Sequence, residues 1–527
     1  MEIWEYLGDA IDWALQNILY INMILSIMIV FFQRRDPKSV WTWLLCLYFI
    51  PIVGFFFYLI LGQDFRKKRM FHIKEIEDTM TRSVRSQERM IRKYSEEFTD
   101  IEPLSRDYQD LICYNLETGG AVLTLDNQVE VFTDGNEKFR NLKEDLRNAR
   151  HYIHFQYYII KNDEVFLSIL EILKKKAAEG VEVRILYDGM GGRFMPKKLW
   201  REIKKAGILC GEFFPPILGR LNLRVNYRNH RKIVVIDGKI GYVGGFNVGK
   251  EYISKDPKFG YWRDTHLKIT GQAALSLQIR FALDWNYATK ENLFLNVKYF
   301  GNLPESEHPE EFEEKMENNA EEELRTVLEN GAEKKWKTEH KLPIRQVGIQ
   351  IIDSGPDTKN RQIRDNYLQL FHKARNHIYI QTPYFVPDDA VLSALIIAAR
   401  SGIDVRLMIP CKPDHPFVYW ATYSYMGDLL EAGGKCYTYE NGFLHAKGVM
   451  VDGIVCSYGT ANMDIRSFEL NFEVNAVLYN EQVTEVLEAA FLDDLSHCHE
   501  VTPEEYQNRP LWLRVKEQGS RLLSPLL

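Results

Sequence analysis

The chain contains no Cys-x-x-Cys pair, and its seven cysteines, at positions 46, 113, 210, 411, 436, 456 and 498, are scattered and odd in number. That argues against a disulfide framework and reads as reduced thiols in a reducing compartment. His497-Cys498-His499-Glu500 is the only tempting ligand run, and adjacent residues on a helix diverge, so it reads as a surface cluster with no metal. A basic excess is also missing. Lys and Arg number 66 against 73 Asp and Glu, a formal net charge of −7, which speaks against a nucleic-acid partner. Charge is absent from Val40 to Leu61, a stretch that passes the length test for a bilayer span. An earlier apolar stretch, Ile11–Phe32, follows an acidic leader and is followed by no small-residue cleavage site, so a cleaved signal peptide fits poorly. Residues 1–62 therefore read as a transmembrane hairpin, with one span plus a re-entrant or interfacial helix as the alternative.

What is present is a repeated pattern. His230, Lys232 and Asp237 are matched by His445, Lys447 and Asp452, each set spaced H-x-K-x-x-x-x-D and each running on into Gly and Asn. Both copies lie on β-branched, apolar runs that read as buried strands. Side chains alternate along a strand, so His230 shares a face with Lys232, and His445 with Lys447. The aspartates fall an odd number of residues from their histidines and read as supports of the catalytic motif. Two histidines and two lysines meet what a phosphodiester requires. One histidine attacks phosphorus to form a phospho-histidine, the other moves protons, and the lysines stabilise the charge that builds on the oxygens. A histidine used in this way needs its second ring nitrogen held. Asp264 is assigned to orient His230 and Glu473 to orient His445. Asn247 and Asn462, at similar distances downstream of the two copies, are candidates to bind phosphate oxygens alongside Lys232 and Lys447.

These residues resemble the paired HKD motifs of the phospholipase D superfamily. Within it the chain is similar to bacterial cardiolipin synthases with a two-helix membrane anchor. Arg34-Arg35-Asp36-Pro37-Lys38-Ser39, Tyr157-Tyr158-Ile159, Leu186-Tyr187-Asp188-Gly189, Thr382-Pro383-Tyr384-Phe385 and the terminal Arg521–Leu527 carry the narrower match. The resemblance implies two mixed-sheet α/β domains of phospholipase D type related by pseudo-two-fold symmetry. It also implies a ping-pong transfer. One phosphatidylglycerol gives its phosphatidyl group to His230 and releases glycerol, and a second takes that group through its terminal hydroxyl, with His445 as acid and base. No metal and no nucleotide cofactor is implied. The HKD pair does not fix the substrate, so a hydrolase of the same mechanism and a transferase using another donor or acceptor lipid stand beside this reading.

The repeat extends beyond the motifs. Residues 153–157, 166–178 and 180–186 read as strand, helix and strand, and 378–381, 390–400 and 402–407 repeat that order, which implies helices on the faces of a mixed sheet. The His-x-Lys strands are expected to meet where the two halves join. Residues 63–103 read as a charged connecting helix, 104–300 as the first domain, 301–340 as an acidic insert and 341–527 as the second domain with an amphipathic tail. The insert holds twelve Glu against three Lys and Arg between 302 and 334, so the rest of the chain is close to neutral and nothing repels it from an anionic bilayer. Arg66, Lys67, Lys68, Arg69 and Lys74 outnumber Arg34, Arg35 and Lys38, so positive-inside counting puts the catalytic body on the cytoplasmic side of a bacterial membrane. The aromatics around Phe417–Tyr425 are read either as core or as a lipid-facing surface. The Leu-rich tail from Leu511 is expected to dock on the body, with contact to lipid as the alternative.

Overall fold

The computed structural model describes residues 12–13, 16–32, 37–61, 102–215, 227–300, 343–358 and 360–524. The connecting helix expected at 63–103, all but its last two residues, and the acidic insert expected at 301–340 lie outside the described residues.

The first half contributes β1 (Leu123–Phe132), β2 (Tyr152–Tyr157), β3 (Glu182–Asp188), β4 (Leu209–Phe213), β5 (Arg228–Asn229), β6 (Ile233–Ile236), β7 (Ile240–Gly244), β8 (Trp262–Arg263) and β9 (His266–Thr270). The second contributes β10 (Ile344–Ser354), β11 (His377–Gln381), β12 (Phe385–Val386), β13 (Asp404–Pro410), β14 (Lys435–Tyr439), β15 (Phe443–Leu444), β16 (Gly448–Val451), β17 (Val455–Gly459), β18 (Met463–Asp464), β19 (Asn471–Tyr479) and β20 (Cys498–Val501). One 16-stranded sheet holds most of them, in the order β20-β14-β13-β11-β16-β17-β19-β10-β1-β9-β7-β6-β2-β3-β4, with β5 paired to β19 off this path. From the antiparallel β1–β10 seam the order runs outward alike on both sides, with β20 added at one edge. The sheet curls, so that β17 and β9, which are not sheet neighbours, touch.

Local chemistry explains why the halves match. Helix Glu164–Ala178 starts at Asp163, whose carboxylate accepts from Val165 and Phe166 N–H, and helix Asp389–Arg400 starts at Asp388, which accepts from Val391 N–H. Capping of this kind satisfies donors that the first helical turn leaves unpaired. Both helices stop at a glycine with φ of 90°, Gly180 and Gly402. The next residue, Val181 or Ile403, donates back to the carbonyl five residues earlier, a Schellman closure that returns the chain into β3 or β13. The β6 run Ile233-Val234-Val235-Ile236 and the β16 run Gly448-Val449-Met450-Val451 are buried throughout, as expected of strands covered on both faces.

The structure differs from the sequence expectation at three points. The His-x-Lys strands β6 and β16 are not sheet neighbours, and six strands lie between them in the sheet order. Nor does the segment that begins at 104 pack with the first half alone. Tyr108, Leu111, Ile112 and Leu116 of helix Glu102–Gly119 pack among Ile363, Tyr367 and Ile378 of the second half. Tyr114 donates to Asp365 (2.7 Å) and Asn115 to Asn366 (3.0 Å) across the same contact. An amphipathic helix goes where its apolar stripe finds a cover, and the cover here lies about 250 residues away in sequence.

The third concerns the apolar stretch 40–61. It forms two helices, Pro37–Phe49 and Pro51–Leu61, and no helix among the described residues is long and apolar enough to cross a membrane. In a straight helix Trp43 and Tyr58 would stand about 22 Å apart along the axis. Their rings meet edge to face at 5.3 Å, so the chain folds back at Ile50. Pro51 has no N–H to offer the Leu47 carbonyl four residues earlier. Asn22, buried on the preceding helix Ile18–Phe32, donates to that carbonyl (2.9 Å) and to the Pro51 carbonyl (3.0 Å). Gly54 lets the two helices close up, since a Cβ there would overlap the Cys46 carbonyl oxygen.

Candidate active site

Each histidine stands where its own half reaches across to the other. β5 runs parallel to β19, Asn229 beside Phe472, and the His230 N–H then donates to the Phe472 carbonyl (2.9 Å). β15 runs parallel to β8, Leu444 beside Arg263, and the His445 N–H donates to the Arg263 carbonyl (2.7 Å). Both crossings put the imidazole beside the next side chain of the opposite half, which is a carboxylate. His230 Nδ1 donates to Glu473 at 2.9 and 3.0 Å, and His445 Nδ1 donates to Asp264 at 2.6 Å. The pairings expected from sequence are therefore exchanged: Glu473 orients His230 and Asp264 orients His445. With Nδ1 committed to a carboxylate as donor, Nε2 of each neutral ring presents its lone pair.

The carboxylates are themselves held. Thr460 Oγ1 donates to Glu473 (2.6 Å), as does Asn471 (3.2 Å), and the Thr265 N–H donates to Asp264 (2.7 Å). Gly245 has to be glycine, because a Cβ there would overlap the Asp264 carboxylate. Arg231 ties the seam together, bonding Asp284 and Asp353 at 2.6 Å each and the Glu473 carbonyl at 3.1 Å.

The lysines follow the alternation of the strand. Lys232 Nζ donates to the His230 carbonyl (2.6 Å), and Lys447 Nζ donates to the His445 carbonyl (2.5 Å) and lies 2.9 Å from His445 Nδ1. Lys232, Lys447, His445 and both carboxylates are buried and His230 is largely so, and burial penalises charge. Burial pushes Lys232 down to about 7 against the pull of Glu473, and Lys447 down to about 8 against the pull of Asp264. Burial also lowers His230, with Glu473 opposing it. It lowers His445 to about 4, with Lys447 adding to the effect. On the carboxylates burial works upward and is outweighed. Lys447 and His445 hold Asp264 below its ordinary range, and His230 and Lys232 do the same for Glu473.

Asp237 and Asp452 do not reach this cluster. Asp237 takes the N–H groups of Arg150, His151 and Tyr152 at 2.7 to 2.9 Å, and Asp452 takes those of Arg375, Asn376 and His377 at 2.7 to 2.8 Å. Each opens an Asp-Gly turn in which both residues have positive φ, 53° and 68° in one copy and 55° and 72° in the other. Asp and Gly tolerate that region and most residues do not. The motif aspartates thus fix the turn after the His-x-Lys strand and the start of β2 or β11, and take no direct part in the cluster.

The asparagines are also placed differently from expectation. Asn247 accepts from the Ile159 N–H (3.1 Å) and donates to the Tyr252 hydroxyl (3.3 Å), which secures the segment carrying Tyr158 and leaves one amide N–H. Asn462 bonds Asp464, and its buried Oδ1 has no partner among the described residues. Two aromatics were passed over as site residues although their stretches stood out in sequence. Tyr158 lies edge-on to His230 at 5.0 Å, and Trp262 lies 5.1 Å from the His445 ring.

Comparison with known proteins agrees with the repeat. Residues 142–258 and 367–495 match the family model described as cardiolipin synthase, phospholipase D-like domain, with His230 in the first segment and His445 in the second. Residues 21–63 match the phospholipase D-nuclease N-terminal family. A cardiolipin synthase of Listeria monocytogenes is 44% identical over 512 residues, covering 97% of this chain and 98% of its own. The major cardiolipin synthase of Bacillus subtilis is 44% identical over 512 residues, covering 96% and 97%. A cardiolipin synthase of Staphylococcus aureus is 45% identical over 508 residues, covering 96% and 95%. Among solved structures, the phosphatidylserine synthase of Haemophilus influenzae aligns with a TM-score of 0.55 at 15% identity, over 81% of this chain and all of that one. At that identity the likeness is one of fold.

Proposed function

The chain belongs to the cardiolipin synthase family of the phospholipase D superfamily, and from that premise we infer that it makes cardiolipin, moving a phosphatidyl group from one phosphatidylglycerol to another and releasing glycerol. The observation that carries the site assignment is the crossed pair of Nδ1–carboxylate bonds, His230 to Glu473 and His445 to Asp264, each beside a buried lysine. Nε2 of His230 attacks phosphorus, the P–O bond to the glycerol headgroup breaks, and His445 supplies the proton that the leaving alkoxide needs. The second phosphatidylglycerol then loses its terminal hydroxyl proton to His445, and its oxygen displaces His230 from phosphorus. Lys232 and Lys447 face the non-bridging oxygens. The anionic phosphodiester offsets the burial penalty at both lysines and raises the proton affinity of His445, so the proton enters with the substrate. The free acceptor Oδ1 of Asn462 suits a glycerol hydroxyl better than a phosphate oxygen.

The matching strand order on the two sides of the β1–β10 seam, together with the equivalent crossings at β5–β19 and β15–β8, supports a pseudo-two-fold relation between the halves. The three short apolar helices of residues 18–61 embed the enzyme in the bacterial cytoplasmic membrane. The basic run Arg66–Lys74 puts the catalytic halves on the cytoplasmic side.

The nucleophile is tested by turnover with phosphatidylglycerol carrying labelled phosphorus, quenched in alkaline detergent to preserve phospho-histidine and mapped by peptide. Label on the peptide containing His230 is expected. Label on the His445 peptide, or none on either, contradicts the assignment.

A further inference from the structure

Helix Leu511–Leu522 docks on the body with its polar side inward. Glu517 and Ser520 are buried. Glu517 takes a two-pronged bond from Arg509 at 2.9 and 2.6 Å, and Arg521 donates to Asp428 at 2.5 Å and lies 4.2 Å over the Tyr425 ring. Leu513 is half-buried on that side, and the other apolar residues of the helix point away. Leu511 is 76% exposed, Trp512 57%, Val515 64% and Leu522 78%. At 100° per residue, Trp512, Val515, Gly519 and Leu522 fall on one stripe, roughly opposite the buried stripe of Glu517 and Ser520. A helix that docks on a water-soluble body turns its leucines inward. The reverse arrangement is stable only if a second apolar phase takes the outer face.

The patch continues onto helix Pro416–Glu431. Lys516 Nζ lies 4.5 Å from the Trp512 ring and 5.4 Å from the Trp420 ring, so the two indoles flank one ammonium. Phe417, three residues before Trp420 and on the same face, is 61% exposed. Just upstream, Asp414 accepts from the Tyr384 hydroxyl and acts electrostatically on Lys447, which places the patch beside the site. Its charge points to the phase that covers it. The exposed cations of the helix are Arg514 and Lys516, and its one carboxylate, Glu517, is buried against Arg509. An apolar stripe with tryptophan in it and basic flanks fits the boundary between the headgroups and acyl chains of an anionic bilayer.

We propose that helix Leu511–Leu522, with Phe417 and Trp420, is a second membrane-contact surface, separate from the N-terminal helices, that inserts Leu511, Trp512, Val515 and Leu522 into an anionic phospholipid surface and seats the active-site mouth on it. The contact stands on the inverted helix and does not depend on which reaction the histidines perform.

The test compares full-length protein with its Trp512→Phe variant in vesicles of phosphatidylglycerol and phosphatidylcholine, so that the difference in fluorescence belongs to Trp512. Trp512 emission should be quenched by lipids brominated in the acyl chains and shielded from aqueous iodide. Quenching by iodide and not by brominated lipid overturns the proposal. Shielding from both that grows with the protein-to-lipid ratio also overturns it, in favour of a second copy covering the patch. A combined Leu511→Ser, Trp512→Ser, Val515→Ser variant should show a severalfold higher KM on vesicles and wild-type turnover in mixed detergent micelles. An equal loss in both would show that the face supports the fold and not the bilayer contact.

Discussion

A neutral imidazole attacks phosphorus only through the nitrogen that carries no proton, so the tautomer of His230 matters as much as its position. Glu473 accepts from Nδ1 and thereby leaves Nε2 bare. A glutamine at 473 would present an amide that can donate to Nδ1, moving the proton to Nε2. Glu473→Gln is therefore expected to lower kcat by about 10²–10⁴-fold with the fold intact, and a loss below about threefold would deny the carboxylate this role. The lysines give the pH dependence its sign. They are cationic below their pKa values of about 7 and about 8, so kcat/KM should fall as pH rises through that range. Ordinary lysines would hold the rate to near pH 10, and a profile flat to pH 9 would contradict the burial argument. Asp237→Ala and Asp452→Ala each strand three backbone N–H groups. They should cost about 2 kcal/mol of stability in thermal unfolding while leaving the turnover of folded enzyme near wild type. The histidines, lysines and both orienting carboxylates were legible as residues, because a duplicated pattern of reactive side chains is rare by chance. Their pairing was not legible, since it depends on two-residue strands that cross between halves, and so short a strand leaves no periodic signal.

At the scale of elements, the strand–helix–strand repeats were read nearly to their ends. The caps Asp163 and Asp388 and the stops Gly180 and Gly402 mark them in sequence. The apolar stretch 40–61 reads as one span because length and hydropathy do not register a fold-back. The signals for it were local and separate: Pro51, Gly54, and the lone amide of Asn22 on another helix. The C-terminal helix docks as expected, but mainly through Glu517, Ser520 and Arg521, a face that its leucines do not signal. The bent pair makes a topological prediction. Single cysteines at positions 35 and 63, in a background without the native seven, should react with an impermeant maleimide from the same side of the membrane. Labelling from opposite sides would restore a straight second span.

For the whole molecule, the central point is that neither half holds a complete site. His230 and Lys232 come from one half and Glu473 from the other, and the same division holds for His445, Lys447 and Asp264. The duplicated motif and the strand–helix–strand repeats imply two halves and one site, with the join expected at the His-x-Lys strands. The sheet puts it at β1 and β10, and the curl of the sheet brings the histidine-bearing crossings together. Long-range strand order of this kind has no local sequence signature. A shared site built from two equivalent halves suits a reaction with two equivalent lipids, in which the group that protonates one glycerol deprotonates the next. The most direct test is to incubate the purified full-length protein in vesicles with phosphatidylglycerol as the only reactive lipid, resolve the products by mass spectrometry and assay free glycerol. The account predicts cardiolipin and glycerol in equal amounts, and neither from His230→Ala or His445→Ala. Phosphatidic acid in place of cardiolipin, or cardiolipin from either variant, would contradict it.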